Sequence, residues 1–68
     1  MTIPVERTRA VLQTRSFLFD LLDPKQTPRV PREIRQRAAR MLRHYPWWLD
    51  LDDAAKGAPQ KFARPGEI

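Results

Sequence analysis

Proline placement decides how this chain can be divided. Pro4, Pro24, Pro28, Pro31, Pro46, Pro59 and Pro65 all fall at the ends of, or between, runs whose apolar residues repeat at helical spacing, or in the tail beyond them. Proline suits the first turn of a helix and breaks its interior. Three stretches remain that a helix can occupy. The sequence therefore predicts an all-α fold, a small three-helix domain. Two long antiparallel helices are joined by a proline-rich linker, and a short third helix follows.

Helix 1 is expected from Pro4 or Val5 to Leu22, with Glu6 where the helix dipole favours an acid. Ala10, Val11, Phe17, Leu18, Leu21 and Leu22 recur in adjacent pairs, and Leu12 and Phe19 point to nearly the opposite side. A helix that is apolar on two sides is central or lies at an interface, so a homodimer through helix 1 stays open. Asp23-Pro24 ends it, because the residue before a proline avoids the helical region. The linker Asp23–Pro31, with three prolines, is expected to be extended and stiff.

Helix 2 is predicted from Pro31 to about His44, with Ile34, Ala38, Met41, Leu42 and Tyr45 on one face. The intended packing is of this face against Val11, Leu18 and Leu21. Pro46 ends helix 2. Helix 3 begins at Trp47, or later with Asp50 as N-cap, and runs to Lys56, with Gly57 and Pro59 closing it. Residues 1–57 then form a single helical domain. Residues 58–68 read as a mobile polar tail in which Phe62 alone would dock back.

At 68 residues the chain is near the lower limit for a self-sufficient core. It has no cysteine for a disulfide or a thiolate zinc site, and its one histidine, His44, cannot hold a metal alone. No cofactor and no metal are expected. No apolar run reaches the roughly 20 residues that span a bilayer, and the start MTIPVERTRA lacks a signal-peptide core. A cytoplasmic location without membrane contact is the expectation.

The charge is more telling. The chain carries +5 at neutral pH, and Asp23–Tyr45 alone holds seven basic residues against two acids. Such a segment suits an acidic protein, nucleic acid or an anionic membrane surface. It also suits a merely solvated arginine-rich face, since arginine is a good helix former. A helix-turn-helix reader of DNA is disfavoured. The one tight turn leads into a helix opening with Asp50, Asp52 and Asp53, which phosphates would repel. Non-specific gripping of phosphates by Arg29, Arg32, Arg35, Arg37, Arg40 and Arg43 survives as an alternative.

Trp47 and Trp48 point about 100° apart on a helix, so one is expected to cap the core and the other to stay partly exposed. Tryptophan and arginine are enriched at binding hot spots. The candidate partner-binding residues are therefore Arg35, Arg40, Arg43, Trp47 and Trp48. No nucleophile–base set, phosphate loop or paired acid appears, so no enzyme activity is expected. The expected function is a non-enzymatic helical binding module, a regulator or adaptor that docks on an acidic protein partner.

Four segments, ERTRAVLQTRSFL (Glu6–Leu18), TPRVP (Thr27–Pro31), LRHYP (Leu42–Pro46) and Asp50–Ala55 with its DL and AA pairs, are similar to a family of short uncharacterised proteobacterial proteins. The resemblance spans about the first four-fifths of the chain. It implies a bacterial cytoplasmic helical domain and brings no activity, cofactor or catalytic residue with it. The family usually has a small residue where this chain has Trp47 or Trp48.

Overall fold

The computed structural model describes residues 3–68. Its regular elements are α1 (Pro4–Leu22), α2 (Arg32–Leu42), α3 (Trp48–Gly57) and a single 3-10 turn at Pro65–Glu67. No strand occurs among the described residues, so the fold is all-α with three helices. The chain divides into two compact units, one of Met1–Gln13 with Pro46–Ile68 and one of Thr14–Tyr45. The first of these units includes the segment after Gly57 that the sequence set apart as a tail.

In the unit Thr14–Tyr45, the last turns of α1 and the face of α2 meet around Leu18 and Ala38, both buried. The segment joining them is not extended. The carboxylate of Asp23 accepts the Lys25 N–H at 2.9 Å, and the Asp23 carbonyl accepts from Gln26 at 3.1 Å and Thr27 at 3.0 Å. The Thr27 hydroxyl donates to the Asp20 carbonyl at 2.7 Å. Asp side chains make such turns readily because they satisfy backbone donors two residues on. That local chemistry outweighs the stiffening effect of the prolines.

The ends of α2 also differ from expectation. Pro31 lies outside the helix as its N-cap, in extended conformation, with its carbonyl accepting from Ile34 and Arg35 at 3.1 and 3.2 Å. The helix stops at Leu42, and His44 lies beyond it in a turn. The Arg43 N–H bonds back three residues to Arg40 and that of Tyr45 to Leu42. Pro46 explains the early stop, since it drives Tyr45 out of the helical region and the last turn tightens ahead of it.

In the other unit, Thr8, Leu51, Ala55 and Pro65 are buried. Leu51 and Ala55 lie one turn apart on a single face of α3, and α3 contacts the 3-10 turn. α3 starts at Trp48, so Asp50 is not the N-cap. It stands at the third helical position, and its carboxylate accepts the Trp47 N–H at 2.8 Å. The helix runs through Gly57 without any positive φ, and Ala58 ends it ahead of Pro59.

The segment after Gly57, whose composition suggested mobility, has specific partners. The Thr8 hydroxyl donates to the Ala63 carbonyl at 2.8 Å and accepts the Ala63 N–H at 3.0 Å. Arg7 donates to the Lys61 carbonyl at 3.1 Å. Arg64 pairs with Asp52 at 2.7 Å, and Lys56 pairs with the same carboxylate at 3.3 Å. The Arg64 hydrogen bond holds the Asp52 carboxyl below its ordinary value, against a smaller opposing push from burial. An acid whose folded value is depressed stabilises above its unfolded value and stops doing so as pH falls through the folded one. This tie therefore weakens only in acid.

Candidate partner-binding surface

The surface has to be built from the charge, which falls within one of the two units. The unit Thr14–Tyr45 contains eight of the thirteen basic residues and three of the eight acids, so the whole +5 belongs to it. The other unit is balanced at five and five. The ion pairs described above, both to Asp52, lie in that balanced unit. Among the described residues no acidic side chain pairs with Arg29, Arg32, Arg37, Arg40 or Arg43, all of which are exposed.

Arg35 behaves differently from the other arginines of α2. Its guanidinium donates to the Leu21 carbonyl at 2.8 Å, to the Thr27 hydroxyl at 3.3 Å and to the Thr27 carbonyl. The Leu21 carbonyl lies in the final turn of α1, where a helix leaves its acceptors unsatisfied. Arg35 thereby clasps the end of α1 and the turn after it to the start of α2. It is half-buried and serves the fold, which removes it from the expected docking set. Arg35→Ala is expected to cost about 1.5–3 kcal/mol, as for hydrogen bonds made by a charged donor. Arg40→Ala, with no such bonds, is expected to stay within about 0.5 kcal/mol of wild type. Urea denaturation of the two variants checks this, and equal losses would remove the distinction.

The apolar residues of this unit are incompletely covered. Phe17 is 57 % exposed, Ile34 37 % and Met41 54 %. Phe19, also partly exposed, has the Arg15 guanidinium 4.7 Å from its ring centroid. Between α1 and α2 lies an open cavity of about 120 Å³ lined by Leu18, Leu21, Ile34, Arg37, Ala38 and Met41. Arg37 is the only polar residue on its wall.

The tryptophans do not divide into one buried and one exposed. Trp47 is 46 % and Trp48 45 % exposed. The reason is their position: Trp47 is the N-cap, in extended backbone, and Trp48 is the first helical residue, ahead of the buried face that begins at Leu51. Trp48 and the exposed Leu49 border a shallow depression with Asp52, Arg64, Gly66 and Glu67. Both tryptophans belong to the balanced unit, whereas Arg40 and Arg43 belong to the basic one. Of the five candidate residues, then, Arg40 and Arg43 remain unpaired in the basic unit, Arg35 is bonded to the backbone of the turn, and Trp47 and Trp48 belong to the other unit.

Sequence reasoning named Arg37 only among possible phosphate contacts and missed its place on the cavity wall beside Met41, four residues later on the same side of α2. The one signal for it was that i, i+4 spacing next to the apolar face. Among the described residues no helix is long and apolar enough to cross a membrane, and no cluster of three or more metal-ligating side chains occurs. No protein-family model matches the chain, and neither a curated protein nor a solved structure is significantly similar to it.

Proposed function

We propose that this protein is a small, non-enzymatic, cytoplasmic binding module, a regulator or adaptor that docks on an acidic protein surface. Docking occurs through the unit Thr14–Tyr45. The observation that carries this reading is the set of exposed, unpaired arginines on and before α2, gathered in the one unit that holds all the net charge. Exposed cations without internal partners keep their field for an external one, and such a field speeds encounter with an acidic surface.

Phosphates are the alternative acidic partner, and arginine forks suit them as well. The acidic protein is preferred because incompletely covered apolar residues accompany these arginines, and a phosphate backbone offers nothing to cover them. Titration against labelled polyglutamate, a labelled duplex and a labelled RNA at two salt concentrations tests the choice. Polyglutamate is expected to bind at low salt and weaken as salt rises, since exposed charges are screened beyond about 10 Å at 0.1 M. Tighter binding to duplex, with a log–log salt slope near −0.9 per phosphate neutralised, would move the assignment to nucleic acid.

A further inference from the structure

The open cavity between α1 and α2 adds chemistry that charge alone does not require. This step rests on the docking function above and makes it more specific. We infer that the cavity receives one apolar side chain from an acidic amphipathic segment of the partner, while Arg37 and Arg40 hold carboxylates beside it.

Size is the first argument. The cavity measures about 120 Å³. Small-molecule sites run to about 300–1,000 Å³, whereas an apolar cavity of about 150 Å³ admits a benzene-sized group. A single leucine, isoleucine or phenylalanine side chain is the matching scale. The lining is the second argument. Leu18, Leu21, Ile34, Ala38 and Met41 offer no hydrogen bond from their side chains, so only an apolar group gains by entering.

The rim is the third. Arg37 lies on the wall and Arg40 follows it by three residues on the same flank of α2, so the two are neighbours along the helix surface. Neither is neutralised, and Glu33, one turn before Arg37, forms no ion pair with it. An occupant with carboxylates on either side of its apolar anchor would complement both features.

Other occupants fit less well. A second copy of this chain would bring its own +5 to the same face. A nucleic acid backbone has no apolar side chain to insert. An interfacial membrane helix presents a broad apolar face, whereas this one presents an opening of side-chain size.

The test uses fluorescence anisotropy with the full chain. One probe is a glutamate-rich amphipathic peptide with leucines along one face. A second has those leucines replaced by serine at equal charge. A labelled duplex and anionic vesicles complete the set. The leucine peptide is expected to bind at low salt, and the serine peptide at least roughly tenfold more weakly, as for loss of a buried anchor. Met41→Ser, at an exposed position, should lose the same factor for the leucine peptide and show no preference between the two peptides. The double variant Arg37→Glu/Arg40→Glu should bind neither peptide. The peptide-side substitution keeps the test independent of folding in any variant. Equal binding of the two peptides by wild type would overturn the anchoring cavity and leave the docking function standing. Binding of neither peptide would overturn both. Binding to the duplex or the vesicles without binding to the leucine peptide would overturn the proposal and name a different occupant.

Discussion

Replacing Thr8 by valine is expected to destabilise the fold by about 2–4 kcal/mol, far more than the loss of one hydroxyl from a surface helix would suggest. Each buried partner left unsatisfied costs about 1–3 kcal/mol, and Thr8 serves two. Its hydroxyl donates to the Ala63 carbonyl and accepts the Ala63 N–H, and its side chain is fully buried. Valine keeps the shape and removes both bonds. The Ala63 N–H would retain only its longer bond to the Pro4 carbonyl, at 3.4 Å. Thermal or urea unfolding measures the loss, and hydrogen exchange at Ala63 locates it. An unchanged melting curve with slow exchange at Ala63 would show that the tail is held by something else.

Leu51→Ala is expected to cost about 2–4 kcal/mol, within the range for large-to-small substitutions in a core. Leu51 is 3 % exposed on the α3 face that carries Ala55, itself 3 % exposed. Few side chains in this small chain are buried, so little else can fill the space. Small domains have total stabilities near the low end of about 5–15 kcal/mol. A loss of this size should therefore leave a measurable unfolded fraction at room temperature. Circular dichroism with denaturant titration reads it directly. A loss below about 0.5 kcal/mol, the range typical of surface positions, would remove Leu51 from the core.

The elements were legible in the sequence because proline and helical periodicity act locally. Pro4, Pro31 and Pro46 bracket α1, α2 and α3 to within one or two residues. The misjudged ends trace to effects that also act locally but had to be weighed against each other. Pro46 shortens α2 from behind, and Asp23 folds back a linker that its prolines alone would extend. The tail was not legible. Its anchor, Thr8, stands 55 residues from Ala63 and is a polar residue in a helix, where the ordinary reading is a solvated hydroxyl.

The charge was legible in the sequence, and the bonding of the individual arginines was not. The excess of arginine around α2 was visible, but Arg35 could not be separated from Arg40 and Arg43. Its acceptors are backbone carbonyls, which every sequence has, and only the folded turn brings the Leu21 and Thr27 carbonyls together. The two tryptophans were read as a buried and an exposed member because consecutive helical positions diverge. Their place at the very start of α3 leaves both half-exposed instead.

The claim that the basic unit is the docking surface is tested most directly by backbone amide NMR. The labelled chain would be titrated with the leucine-bearing acidic peptide and each amide followed. Shifts confined to Thr14–Tyr45, largest around Ile34 to Met41 and suppressed by Arg37→Glu/Arg40→Glu, are the predicted result. Shifts centred on Trp47, Trp48 and Leu49, or none at a peptide excess in low salt, would contradict it.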